Sequence, residues 1–228
     1  MITEDLAAPY AELHCRSNFS FLEGAAHPEE LAEVASSLGL GALAITDRNG
    51  LYGIVRFAEA ARAVNLPTVF GVELDCGNAG EIVLLSRGAG GYARMARAIS
   101  EGQMAGSKGA PVFTMHGVAE AVQQQCMVLS GGTNGAVVRA LVQHGPTAAE
   151  HVLRQLSDGF GAHNVLVELW DHGDPIDAVR NDQLVQLAAR LDLECVATNN
   201  VAYAVPSQHR LVTAMAAVRN RCDLDDID

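Results

Sequence analysis

The chain has 228 residues, with 15 Lys and Arg against 27 Asp and Glu, for a formal net charge of −12. That balance disfavours a free-standing nucleic-acid binder, because holding a phosphate backbone takes a surplus of cationic side chains. With 49% hydrophobic residues and 22 Gly, the composition is that of a well-packed soluble domain rather than a disordered tail. No run approaches the roughly 18 apolar residues that cross a bilayer, and the opening MITEDLAAPY carries acids where a secretory signal is basic, so a cytoplasmic protein is expected. Cys15, Cys76, Cys126, Cys195 and Cys222 are odd in number and form no CxxC pair, which reads as reduced thiols, mostly in the core.

In chain order, a short strand AELHCR (11–16) comes first. Then HPEELAEVASSLG starts a helix at Pro28, with Glu29 and Glu30 at its positive end, an apolar stripe of Leu31, Val34, Ala35 and Leu38, and Gly39 as its stop. ALAITD (42–47) is short and continuously apolar, which suits a strand buried on both faces. A helix around 52–65 precedes the strand TVFGVEL (68–74), and IVLLS (82–86) precedes a helix near 91–102. GQMAGSKGAP (102–111) reads as a surface loop. MVLSG (127–131) leads into two helical stretches ending near Gly159. VLVELW (165–170) leads into a helix with Ile176, Val179, Leu184, Leu187, Ala188 and Leu191 on its apolar face. CVATNN (195–200) precedes a last helix from Pro206. Seven strands, each followed by helix, predict parallel pairing with right-handed crossovers and a closed α/β barrel.

Polar residues gather at the strand ends. His14 lies at the end of the first strand, Asp47 closes the second, Glu73 is near the end of the third, Asp171 and His172 follow the sixth, and Asn199 and Asn200 end the seventh. A parallel barrel opens all those ends onto one mouth, where such folds build their sites. Two carboxylates and two imidazoles there could hold a divalent metal and activate water for phosphoester hydrolysis. Taken singly each has a plainer reading: Asp47 as an Asx turn before Asn49 and Gly50, and Asp171 as another before Gly173. His27 reads as a surface residue before Pro28, Trp170 as core or rim packing, and Cys15 as pointing to the helix layer.

The strings ELHCRSNFSFLEGAAHPEELAEVASSLG, ALAITDRNGLYGIVRFAEAA and PTVFGVELD resemble the PHP domain (polymerase and histidinol phosphatase) at the N-terminus of bacterial DNA polymerase III alpha subunits. IVLLSRGAGGYARMARAIS, VLVELWDHGDPIDAVRNDQL and VATNNVAYAVPSQHRLVTAMAAVRNR continue the match in order, and NFSFLEGA, DHGDP and TNNV look closest to the error-prone, damage-inducible (ImuC-type) branch. The resemblance implies a distorted seven-stranded, TIM-like (β/α)7 barrel, the PHP fold. Residues 1–222 would form one domain, and 223–228 would begin a connector toward a polymerase palm.

The resemblance also implies a mouth that can carry a metal cluster. His14 matches the first His of an HxH pair, Asp47 the Asp of a TDH, Glu73 the glutamate and His172 the DHG histidine, while Glu23 stands where an acidic ligand is usual. Against that pattern Arg16 replaces the second His, Arg48 the His of TDH, Gly132 a common Cys, and Asn200 and Ala202 the Asp and His of a final Asp-x-His. Arginine keeps its proton near neutral pH, so two guanidinium groups bring positive charge where dications would sit. Arg16 and Arg48 are expected to neutralise Glu23, Asp47 and Glu73. A depleted site of His14, Asp47 and Glu73 would hold at most one Zn or Mn ion, and no other cofactor is expected.

The implied function is a PHP domain of an error-prone DNA polymerase acting in damage-induced translesion synthesis. The domain would be non-catalytic and would stabilise the polymerase, whose palm binds Mg. Its partners would be that palm, other domains of the parent and mutagenesis accessory proteins, with DNA held only through the parent. The alternatives are a metal-dependent phosphoesterase or 3'-5' proofreading exonuclease, and a protein-interaction module.

Overall fold

In the computed structural model, which describes residues 9–227, the seven apolar runs form one curled sheet ordered β1 to β7. The strands are β1 (Ala11–Glu12), β2 (Ala42–Ile45), β3 (Thr68–Asp75), β4 (Glu81–Ser86), β5 (Cys126–Leu129), β6 (Val165–Leu169) and β7 (Glu194–Ala197). Pairing is parallel from β1 to β3 and from β5 to β7. It is antiparallel on both sides of β4, which corrects the all-parallel expectation. The reason is the connection. A parallel crossover takes about a dozen residues, whereas only Cys76–Gly80 join β3 to β4, through the tight turn Gly77–Ala79 with Gly80 at φ 93°. β3 is thus followed by a hairpin and not by a helix. The reversal also brings the first residue of β4, Glu81, to the end of the barrel where β3 finishes.

The sheet closes at its rim. Cys15 and Val201 form a parallel bridge, with Arg16 N donating to the Val201 carbonyl at 2.8 Å and Val201 N to the His14 carbonyl at 2.8 Å. Just below, the buried Glu12 carboxylate takes over from the ladder. It accepts from the Asn199 and His14 amides and from the Tyr10 hydroxyl, each at 2.8 Å. Burial raises its pKa in spite of those three donors. The barrel interior is filled by Ala44, Val83, Leu85 and Leu129, with Leu13, Val69, Met127, Leu166 and Val196 against them.

Helices α1 (Pro28–Ser37), α2 (Ile54–Ala63), α3 (Gly88–Ala105), α4 (Met115–Val122), α5 (Ala136–His144), α6 (Pro146–Phe160), α7 (Pro175–Leu191) and α8 (His209–Asn220) surround the sheet, with short 3-10 turns between some of them. α1 starts as its sequence dictates: Pro28 is its first residue and the Glu30 carboxylate accepts from His27 N at 2.8 Å. Leu31, Ala32 and Ala35 are buried there with Cys15 and Phe57, while Leu38, placed on the stripe by periodicity, is 71% exposed. α3 continues to Ala105 and so takes in the first part of the expected loop. α4 is a helix the periodicity did not announce, capped by Thr114 Oγ1 accepting from Gly117 N at 3.1 Å.

α7 keeps Leu184, Leu187, Ala188 and Leu191 on the core as expected but departs from its expected face in the first turns. Asp177, Arg180, Leu184, Leu187 and Ala188 are buried, whereas Ile176 and Val179 are 58% and 59% exposed. The loop before the helix decides this. Asp177 turns inward to accept from His172 N at 2.7 Å and Asp174 N at 3.2 Å, and Arg180 follows it, bonding Asp177 at 2.5 Å and the Trp170 carbonyl at 2.7 Å. The guanidinium lies 3.8 Å from the centre of the Trp170 ring, so Trp170 packs at the rim as a cation's platform. Backbone amides that would otherwise be left unsatisfied under cover outweigh two aliphatic side chains. Among the described residues no helix is long and apolar enough to cross a membrane.

Candidate functional site

The strand ends carry an ion network. At its centre His14 is fully buried, with Nδ1 2.7 Å from Glu168 Oε1 and Nε2 2.7 Å from Glu73 Oε2. Burial alone would favour the neutral ring, but the Glu168 and Glu73 carboxylates more than reverse it and lift its pKa to about 9. The ring is therefore an imidazolium that donates to both acids. Glu168 is held in turn by the Thr198 hydroxyl at 2.5 Å, and its amide donates to Ser130 Oγ at 2.9 Å, while its Oε2 is buried without a hydrogen-bond partner among the described residues.

Glu73 links the imidazolium to the arginines. Burial would raise its pKa, but the Arg16 guanidinium and the His14 ring hold it well below the usual carboxylate range. Arg16 Nη2 lies 2.6 Å from Glu73 Oε2. Arg48 reaches four acids: Glu81 Oε1 at 2.5 Å and Glu73 Oε1 at 3.3 Å through Nη1, Asp75 Oδ2 at 2.8 Å through Nη2, and Glu23 Oε1 at 3.5 Å through Nε. Burial, then the negative charge of Glu73, raises Glu81 despite Arg48. Arg219 of α8 completes the ring, 3.8 Å from Glu23 Oε1 and 3.5 Å from the Leu22 carbonyl. Arg16, Glu23, Arg48, Glu81 and Arg219 border a polar cavity of about 380 Å³.

The other expected residues lie beside this network or apart from it. Among the described residues Asp47 forms no ion pair with Arg16 or Arg48, which corrects the expectation that they neutralise it. Its Oδ1 accepts from Ser17 N, Ser17 Oγ and Ser20 Oγ at 2.8, 2.9 and 2.8 Å, so it ties the 17–24 loop to the end of β2. Gly53 makes room for it, since a Cβ there would stand 2.6 Å from Asp47 Oδ2. Gly132 and Asn200 are neighbours of His14: a Cβ at 132 would lie 2.8 Å from Asn200 Nδ2 and 3.8 Å from His14 Cε1. His172 is exposed, with Nε2 2.8 Å from the Asn199 carbonyl oxygen. Ala202 accepts from Ala25 N at 2.8 Å and borders a separate cavity with His172, Tyr203 and His209.

A divalent metal cluster does not fit these donors. Both nitrogens of His14 are engaged by carboxylates, both oxygens of Glu73 and Oε1 of Glu81 are engaged by guanidinium groups, and Asp47 Oδ1 is engaged by an amide and hydroxyls. Among the described residues no group of three or more His, Cys, Asp or Glu is arranged to hold a metal ion, so His14, Asp47 and Glu73 do not converge as a set.

Residues 12–172 match the family described as PHP domain. The chain belongs to the PHP domain family. Curated relatives of this PHP domain carry the name error-prone DNA polymerase. The protein of Mycolicibacterium paratuberculosis is 44% identical over 230 residues, 96% of this chain and 21% of its own length. That of Cutibacterium acnes is 44% identical over 238 residues, 99% and 21%, and that of Nocardia farcinica is 37% identical over 272 residues, 96% and 24%. The chain thus spans about a fifth of the length of those relatives. Among solved structures, one described as a metal-dependent phosphoesterase of Bifidobacterium adolescentis superposes with a TM-score of 0.62 at 15% identity, covering 92% of this chain and 97% of its own. An amidohydrolase of Chromobacterium violaceum gives 0.61 at 14%, with the same coverage. Both share the fold of this PHP domain.

Proposed function

We propose that the chain is the PHP domain of an error-prone DNA polymerase of the DNA polymerase III alpha type, and that it supports the polymerase without hydrolysing phosphoesters itself. Residues 1–222 constitute the domain and 223–228 begin its connector. The nucleotidyl transfer of translesion synthesis, with its Mg ions and its grip on DNA, belongs to the palm and other domains of the parent, which works in the cytoplasm with mutagenesis accessory proteins. The name that the relatives share favours that parent. The observation that carries the non-catalytic reading is the placement of Arg16 and Arg48: their guanidinium groups bind Glu73 and Glu81 at 2.6 and 2.5 Å, on oxygens that a metal-activated hydrolysis would need.

One assay tests it. The purified chain is given Mn²⁺ or Zn²⁺ with single-stranded DNA and with a chromogenic phosphate ester, beside a His14→Ala, Asp47→Ala variant. The expected result is the same background rate for both proteins, with primer extension found only in the longer polypeptide. Metal-dependent turnover that the variant loses overturns the reading in favour of a phosphoesterase or proofreading exonuclease.

A further inference from the structure

The first turns of α7 leave a surface that the barrel does not use. With Asp177 and Arg180 turned inward, Ile176 and Val179 stand exposed one turn apart, and Val142 on α5 is 71% exposed. These three side chains border one groove of about 700 Å³ between α5 and the first half of α7, and the buried Val138 and Leu141 line it with them. Aliphatic side chains scattered singly over a surface are ordinary, but three that converge on one groove mark a place for an apolar partner. The groove is distinct from the ion network: His14, Arg16, Arg48, Glu73 and Glu81 are not among its lining, and only Thr133 and Asn134 border both it and the polar cavity of the mouth.

Its charge is opposite to that of the molecule. The chain carries −12, yet among the described residues no carboxylate lines this groove, while Arg139 and Arg180 do. Asp177 neutralises Arg180. The half-buried Arg139 donates to the Gly77 carbonyl at 3.0 Å and forms no ion pair among the described residues, so its charge is left for an acid that this chain, with 27 of them, does not supply. We infer that the groove docks an amphipathic helix of a separate partner protein, with apolar residues recurring at i, i+3 or i+4, and i+7 and with an acidic flank. The helical form follows from the walls. Ile176 and Val179 are three apart on α7 and Val138 and Val142 four apart on α5, so each wall offers a row one turn long into which the ridge of a third helix fits. The inference is independent of any polymerase activity, because its readout is binding to this chain.

The test is selection from a displayed library of random peptides of about 16 residues, long enough for about four helical turns. The purified chain is the bait and a Val142→Asn/Val179→Asn variant the counter-bait; both positions are exposed, so the variant should melt within about 2 °C of the unsubstituted chain. The enriched peptides should carry aliphatic residues at helical spacing and a net negative charge, and should bind the double variant and Arg139→Glu about tenfold or more weakly. Selection on Arg139→Glu should favour basic helices instead. Sedimentation should show a monomer, and the longer polypeptide should bind the selected peptide as the chain does. The inference is overturned if no enriched peptide depends on the groove, or if those that do are basic or lack the apolar spacing. A dimer that the double variant abolishes gives the groove to a second copy, and a longer polypeptide that no longer binds the peptide gives it to another segment of the parent; either result also overturns the inference.

Discussion

His14 shows burial and charge acting against each other on one side chain. A buried imidazole ordinarily loses its proton, yet Glu73 and Glu168 on its two nitrogens, with Arg16 behind Glu73 and Thr198 behind Glu168, keep it charged to about pH 9. The folded pKa lies above the unfolded value of 6.5, so this contribution is full below pH 6.5 and is lost as pH rises toward 9. Glu73 has the opposite sign: its pKa is lowered by folding, so its contribution is present above pH 4.5 and fades on acidification. Urea unfolding of the chain should therefore show a plateau near pH 5–6 and a loss of about 3 kcal/mol by pH 9. His14→Gln, which cannot titrate, should flatten the alkaline limb. An unchanged alkaline limb in that variant would remove His14 as its source.

At the scale of an element, α7 separates what hydrophobicity favours from what the loop requires. Breaking a buried pair by removing one partner strands the other, at about 3–5 kcal/mol. Asp177→Ala should cost about that much, because Arg180 is left charged under Trp170 and two loop amides lose their acceptor. Ile176→Lys or Val179→Lys should change stability by less than about 0.5 kcal/mol, since both positions are exposed. Chemical denaturation midpoints decide it, and the reverse ranking would return Ile176 and Val179 to the core. Periodicity could not see this because it treats a helix face as a sum of side chains, whereas the preceding DHGD turn recruits Asp177 as its hydrogen-bond acceptor. The β3–β4 hairpin escaped for a related reason. IVLLS is apolar on both faces and reads alike in either direction, and only the brevity of CGNAG marks the reversal. Glu81 was lost with it, because a parallel β4 would have put Ser86 at the mouth. Glu168 was legible in principle: in VLVELW it shares parity with Leu166, an interior residue, but an acid inside an apolar run was absorbed into the strand.

For the whole molecule, the alternation of strands and helices was enough to give seven strands and a barrel, and the strand-end rule brought His14 and Glu73 to one mouth, while Arg16 and Arg48 entered only through the family resemblance. Asp47 departed because the last residue of the run turns toward the 17–24 loop, where three donors meet it. The barrel itself is uneven. Among the described residues its two ends are joined by the main-chain bonds of the Cys15–Val201 bridge and of Ala25 N to the Ala202 carbonyl, while β7 below pairs through β6. Native-state amide exchange should therefore be slowest in β3 and β4 and measurably faster at Glu194–Ala197. Equal protection in β4 and β7 would contradict the asymmetry.

The clasp also sets an order in time. His14 meets Glu168 across 154 positions of sequence, and Glu12 meets the Asn199 amide across 187. As the chain leaves a ribosome from its N-terminus, His14 has only Glu73, and Glu12 only Tyr10 and the His14 amide, until β6 and then the residues after β7 emerge. Closure of long loops is slow compared with formation of helices and hairpins. The rim that closes the finished barrel is thus the last part of it to exist, and an unclosed intermediate carrying incompletely paired buried-to-be charges is the state that a chaperone would meet.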